Sequence, residues 1–297
     1  MSPELLVQQL INALSLGSIY ALLALGLAMV FSVLGMLNFA FGELVTITGY
    51  VMFWLVAAQI SFVTAAVAGI IFATVASMLV EQVAFRPLRR APFVTLLFSS
   101  FAVAVIIQNL IRQLISPRPQ GVPVPGIFDE VWRIGTFQIG VLPMITLGVG
   151  LVALSLLAAF LQRTWWGLAI RAAALDFEVA RLMGIRANRV IALAFAISGF
   201  LAGVAGVLWV ARRGTVTPDM GFVPILKAFI AVVIGGLGNL WGAVLGGFVL
   251  AFLEIALDVI LPVSYRPFTE AFSLIAVVVI LYFRPQGLIA TRSGERV

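Results

Sequence analysis

Long apolar segments alternate with short polar connections along almost the whole chain. Most of these segments run for roughly 15–25 residues, and a helix needs about 20 apolar residues to cross the hydrocarbon core of a bilayer. We therefore expect an all-α fold, a polytopic transmembrane helical bundle of about eight spans that forms a single domain over 1–297. The apolar segments are 5–37, 44–58, 60–80, 93–115, 141–161, 190–211, 223–235, 241–260 and 269–283.

Two of these tracts are too long for one perpendicular helix. The first is predicted to break at Gly17-Ser18, which would leave a short interfacial piece near 4–15 ahead of a true span. The tract 44–80 is predicted to hold two helices that turn near 58–62, although no charged residue marks that turn.

Two connections contain no Lys or Arg, and both mix Gly with Asn between apolar helices. Paired, Gly-interrupted apolar segments in the two halves of a transporter indicate broken or re-entrant helices along a translocation path. The alternative is that the glycines only let helices pack closely, which Gly242/Gly246 and Gly199/Gly203 fit well. The residues that we assign to a substrate pathway are Asn38, Phe39, Gly42, Glu43, Gly236 and Asn239.

Composition and charge support a membrane protein. The chain is 63% hydrophobic and 10% charged, with a net charge of +6. Eleven arginines lie in the connections 86–90 and 163–189 and the tail 284–296, and six lie in the alternate connections, which predicts an external N-terminus and a cytoplasmic C-terminus. The excess of basic over acidic residues is explained by membrane topology, so no nucleic-acid partner is expected. With no Cys and no His, the chain has no catalytic constellation, and we expect neither a metal site nor a cofactor.

Three charged residues lie within the apolar segments. Glu254 and Asp258 are one turn apart on the same predicted helix, and Lys227, the single lysine, lies in the short segment 223–235. A charge inside a membrane is costly and suggests function. Pairing of Lys227 with Glu254 or Asp258 to hold helices together is the interpretation that we prefer.

The connection 163–189 differs from the others. Ala172, Ala173 and Ala174 favour helix, and Gly184 can cap its C-terminus. Leu175, Val179, Leu182 and Met183 fall on one face, which predicts a short amphipathic helix over about 171–185 beneath the membrane. It could lie on lipid headgroups or bind a partner.

At this point the chain resembles a known family. The stretch 171–185, RAAALDFEVARLMGI, resembles the cytoplasmic loop of ABC-importer permeases, whose Ala-rich coupling helix docks on the ATPase subunit. The stretches 17–26, 34–43 and 233–247 are similar to the H-type permease of branched-chain amino acid importers. One departure is Phe41, where many relatives have His. The resemblance covers essentially the whole chain.

The resemblance implies a multi-pass protein of the bacterial inner membrane, surrounded by lipid, that is not an enzyme. It also implies a complex with a second permease subunit, a paralogue, two ATP-binding subunits on the cytoplasmic side, and a periplasmic solute-binding protein. The implied substrates are branched-chain or other neutral amino acids. The residues implied in ATPase coupling are Arg171, Leu175, Asp176, Phe177, Glu178, Arg181, Leu182 and Gly184.

Alternatives remain at this level. Permeases for urea or short amides have the same motifs, so the motifs leave the substrate open. A self-contained secondary transporter would need an intramembrane acid relay, for which Glu254 with Asp258 is the candidate.

Overall fold

The computed structural model describes residues 3–88, 91–134 and 137–289. Arg89, Arg90, Arg292 and Arg296, which entered the charge count above, lie outside that part. The described chain forms eleven α-helices: α1 (Pro3–Leu34), α2 (Phe41–Ala57), α3 (Phe62–Val80), α4 (Phe93–Leu114), α5 (Val141–Arg163), α6 (Trp165–Leu175), α7 (Phe177–Leu182), α8 (Ala187–Arg213), α9 (Phe222–Gly235), α10 (Leu240–Ile260) and α11 (Thr269–Phe283).

Short elements join the helices. A π-helical turn, Glu81–Phe85, extends α3, and 3-10 turns lie at Gly126–Asp129 and Val263–Phe268. Four short strands form two antiparallel pairs. β1 (Gln120–Gly121) pairs with β4 (Thr215–Val216), and β2 (Val131–Ile134) pairs with β3 (Phe137–Gly140).

The helices confirm an all-helical membrane protein. Among the described residues, seven helical stretches are long and apolar enough to cross a membrane, and α2 and α9 are shorter apolar helices. This agrees with the expected number of about eight spans. The predicted turn near 58–62 is also confirmed, because α2 ends at Ala57 and α3 begins at Phe62.

The core is built around α1, which is buried along most of its length and packs against α5, α8, α9 and α10. The predicted break at Gly17-Ser18 is wrong, because α1 continues through it. Gly17 instead allows a close approach to α10, where a Cβ would lie 2.5 Å from a ring carbon of Phe248. The small residue therefore serves helix packing.

The glycine pairs that were expected to serve helix packing do so. A Cβ on Gly246 would lie 1.9 Å from the carbonyl oxygen of Ala231 in α9. Gly199 and Gly203 of α8 face α3, where an added Cβ would lie 2.5 Å from Ser77 and 2.8 Å from Ile70. Without side chains at these positions the helix backbones come into contact, and dispersion between them stabilises the bundle.

Candidate functional site

The connection between α1 and α2 lies inside the bundle. An added Cβ on Gly26 of α1 would contact both the Phe41 ring and Leu201, which lies near the middle of α8. From Gly26, α1 continues for eight residues, or about 12 Å, to its end at Leu34. Residues 35–40 then return without helical structure, and Phe41, the first residue of α2, places the tip of its ring against Gly26. The first predicted break is therefore a re-entrant segment that brings α2 to mid-depth.

The backbone of this return segment finds its hydrogen-bond partners within the protein. Asn38 is 2% exposed, and its Oδ1 accepts a hydrogen bond from the Ala40 amide at 3.0 Å. The Phe39 amide donates to Ser100 Oγ of α4 at 3.1 Å. Irregular backbone is tolerated at membrane depth only where such partners or water replace the helical bonds. Asn38 thus stabilises the break.

Glu43 lies in the first turn of α2 and is 2% exposed. Its Oε1 accepts a hydrogen bond from Nε2 of Gln108 in α4 at 2.7 Å, and its Oε2 has no hydrogen-bond partner in the described structure. Beside it, Gly42 crosses Gly221 so closely that a Cβ on Gly42 would lie 2.5 Å from the Gly221 carbonyl oxygen. The structure therefore gathers Asn38, Phe39, Gly42 and Glu43 into one buried region, which we call the first break.

Two polar residues of α4 that contact the first break, Gln108 and Ser100, were absent from the sequence prediction. Both lie in the apolar segment 93–115, where a polar side chain is itself a signal. Phe41, the departure from the expected His, is buried with its ring against Gly26.

The second break, between α9 and α10, is built differently. Gly236 follows the last residue of α9 as its C-cap. It has φ of +109°, a conformation that residues with a side chain rarely adopt. Asn239 is the N-cap of α10, and its Oδ1 accepts from the amides of Trp241 and Gly242 at 3.0 Å each. The chain's own C-terminal segment covers this break, because Leu288 N donates to the Ile234 carbonyl oxygen at 2.8 Å.

The two breaks are not brought together. Gly42 contacts Gly221 at the start of α9, and Gly236 lies at the end of α9, fourteen helical residues or about 21 Å away. The role of Gly236 and Asn239 in a substrate pathway stays a prediction, as does that of the residues in the first break.

The embedded charges form a buried ion pair. Lys227 Nζ donates to Glu254 Oε1, and the Tyr20 hydroxyl donates to Glu254 Oε2 at 2.8 Å. Glu270, which is largely exposed, lies 3.7 Å from the same ammonium group. The preferred interpretation, pairing of Lys227 with Glu254, is confirmed. Asp258 is exposed and is not part of this pair in the described structure. The cluster joins α1, α9, α10 and α11.

The predicted amphipathic helix over 171–185 is two helices. Asp176 separates α6 from α7, and its Oδ1 accepts from the Val179 amide at 3.0 Å as the N-cap of α7. The predicted helix over 171–185 includes Asp176 in its interior, but a short carboxylate favours a cap over a helix interior.

The predicted cap at Gly184 is confirmed. Gly184 has φ of +83°. Its amide donates to the Arg181 carbonyl and the Ile185 amide donates to the Ala180 carbonyl, which together make a Schellman motif.

The apolar face of this loop is largely unburied. Leu175 is 87% and Leu182 is 85% exposed, and Met183 is also exposed. The opposite side packs inward through Ile170, Ala173 and Ala180. Arg171 and Arg181 are exposed, and the side chains of Phe177 and Glu178 lie outside the described structure. We call the exposed residues Leu175, Leu182 and Met183 the loop patch.

Comparison with known proteins identifies the family. Residues 9–283 match the family model described as branched-chain amino acid transport system / permease component. The chain belongs to this family. It is therefore a transport permease, a multi-pass membrane protein of bacterial ABC-transporter type, and not an enzyme.

Individual relatives cover almost the full length. The chain is 33% identical to the high-affinity branched-chain amino acid transport system permease protein LivH of Salmonella typhimurium, over 98% of this chain and 97% of the relative. It is also 33% identical to the permease protein BraD of Pseudomonas aeruginosa, with 98% of both chains covered. A more distant relative is the ribose import permease protein RbsC of Escherichia coli, 26% identical over 87% and 80% of the two chains. No solved structure matches.

A permease component belongs to a transport system of several components, so this chain works within an ABC transporter complex.

Proposed function

We propose that the chain is the membrane-spanning permease of an ATP-driven importer of branched-chain or related neutral amino acids. The observation that supports this most strongly is the match of 98% of the chain to permeases whose names state that transport. The first break adds a physical reason, because it brings polar groups and a helix start to mid-depth among apolar side chains, as a solute path requires.

The proposed partners are a paralogous second permease, two ATPases and a periplasmic binding protein. The loop patch is our candidate for the ATPase contact, together with Arg171, Asp176, Phe177, Glu178, Arg181 and Gly184. Burying a leucine side chain contributes about 1.5–3 kcal/mol. Leu175 and Leu182 are exposed in the isolated chain, so burying them against a docking partner would stabilise the complex. Closure of the ATPases would move α6 and α7 as a rigid body and switch access to the first break.

Uptake by the reconstituted complex tests this function. Proteoliposomes that contain the permease with its companion permease and ATPases, supplied with loaded binding protein, are expected to accumulate radiolabelled leucine only when ATP is present. Accumulation of urea or acetamide in place of leucine would support the amide importer. Leucine uptake on a proton gradient without ATP would support a secondary transporter and contradict the proposal.

A matched pair of variants tests the docking role. Leu182→Asp is expected to weaken ATPase binding about 30-fold, because a loss of about 2 kcal/mol of apolar burial corresponds to that factor. Leu114→Asp is the control, since Leu114 is similarly exposed, at 77% against 85% for Leu182, but lies at the end of α4. Equal ATPase binding by the two variants, measured by co-purification and titration, would show that the loop patch is not the contact.

A further inference from the structure

The buried carboxylate of Glu43 has one oxygen without a partner. Glu43 is 2% exposed, and Gln108 fixes Oε1 at 2.7 Å while Oε2 makes no hydrogen bond in the described structure. The hydroxyls of Ser15, Tyr50 and Ser198 share this lack. A carboxyl differs from them because its charged form is costly to bury, so it either keeps a proton or receives a cation.

Glu254 of α10, which is also buried, has different surroundings. Glu254 receives hydrogen bonds on both oxygens, from Lys227 and from Tyr20. Glu43 has no Lys or Arg within ion-pair distance among the described residues. Arg112, one turn beyond Gln108 on α4, is exposed. The single lysine is thus committed elsewhere, and the first break is left with an uncompensated acid.

Two opposing effects act on the charge of Glu43: burial disfavours a carboxylate that has no cation beside it, and the start of a helix favours one. Glu43 lies in the first turn of α2, where the positive end of the helix dipole stabilises a carboxylate. Because the first break brings that helix start into the bundle, an ionised Glu43 would need a cation there. Gln108 and the Thr46 hydroxyl, which also acts on this carboxyl, cannot neutralise it, since neither side chain has a charge.

We propose that Glu43 Oε2 binds the primary ammonium group of an amino acid during its passage, with Gln108 holding the carboxylate in place. This inference rests on the proposed function. An ammonium group supplies both the missing charge and the missing donor. Phe41, two residues before Glu43, and Ile225, which lies against Gly42, are apolar and suit a side chain of the same character. Urea has no such cation, so this site favours amino acids over amides.

The test compares Glu43→Gln with Tyr50→Phe in the reconstituted complex. Glutamine matches the shape of a protonated glutamate but has no charge, and Tyr50→Phe removes an unpartnered buried oxygen from the same helix. We expect Glu43→Gln to lower leucine uptake at least tenfold while ATP hydrolysis stimulated by loaded binding protein stays within twofold. Tyr50→Phe is expected to change neither rate.

A second measurement identifies the ligand. Carbodiimide modification of Glu43, followed by mass spectrometry, is expected to be slowed by leucine. It should not be slowed by 4-methylpentanoate, the same skeleton without the amine, or by sodium chloride.

Several results would overturn the inference. These are normal leucine uptake by Glu43→Gln, a parallel loss of uptake and stimulated hydrolysis that marks a structural role, and equal protection by sodium chloride or 4-methylpentanoate. If the wild-type complex accumulates no leucine, the proposed function itself fails. If only the Glu43 comparison fails, that function stands without this site.

Discussion

Replacing Lys227 with Met should destabilise the protein more than any change to its partners. The side chains of Lys227 and Glu254 are only 8% and 10% exposed. Lys227→Met leaves the Glu254 carboxylate buried with the Tyr20 hydroxyl alone. Removing one member of a buried ion pair costs about 3–5 kcal/mol, because the remaining charge has neither water nor a counter-ion.

The reverse change should cost less. Glu254→Gln keeps an oxygen for Tyr20, and Lys227 still has the Glu270 carboxylate 3.7 Å away. We expect a cost of about 1–3 kcal/mol. The double variant Lys227→Met/Glu254→Gln should be more stable than Lys227→Met alone, because it removes the stranded charge, and this non-additivity is the signature of the pair.

Thermal unfolding in detergent, followed by tryptophan fluorescence, measures these effects. The chain has six Trp and no Cys, so thiol-reactive dyes do not report on it. At roughly 2 °C per kcal/mol for a chain of this size, Lys227→Met should lower the apparent Tm by about 6–10 °C. Glu270→Gln, at a mostly exposed residue, is the control and should shift it by about 1 °C. A Lys227→Met shift equal to that control, or additive effects in the double variant, would refute the reasoning.

Three further predictions concern backbone positions. Gly246→Ala should cost at least about 3 kcal/mol or abolish folding, because the added Cβ would overlap the Ala231 carbonyl oxygen. Gly148→Ala is the control, since Gly148 has open space around it, and it should be neutral or stabilise the protein by up to about 1 kcal/mol. Thermal unfolding compares the two variants. Gly184→Ala should cost about 1 kcal/mol for its left-handed conformation and reduce leucine uptake per ATP hydrolysed, and an unchanged ratio would argue against a coupling role. Asn239→Ala should lose about 1 kcal/mol with the N-cap and Asn239→Asp should retain it, so equal unfolding temperatures would contradict the capping role.

The helical architecture was predictable because each apolar segment forms its backbone hydrogen bonds within itself as a helix. The turn between α2 and α3, the Gly184 cap and the glycine contacts of Gly246 were predicted correctly from local pattern. The Gly17-Ser18 break was wrong because a glycine that breaks an isolated helix is tolerated where a neighbour such as α10 packs on it. The predicted helix over 171–185 ran through Asp176 because an Asp side chain can either cap a helix or lie within one, and local pattern does not distinguish the two.

The candidate site shows more clearly what could not be predicted from the sequence. Asn38 and Glu43 were marked by their polarity beside glycine, but Gln108 is 65 residues further along the chain and only folding brings its amide to Glu43. The same holds for the covering of Gly236 by the C-terminal segment.

The sequence by itself determined that this protein is a membrane-embedded helical bundle, where its apolar segments lie, and which family it resembles, since these follow from hydrophobic length and local residue pattern. Only the tertiary structure decided which charges meet. Lys227 neutralises Glu254 across 27 residues, while Glu43 stays without a cation among the described residues. The physical reason is that a buried charge is compensated through space, and the distances between helices are set by packing rather than by position in the chain.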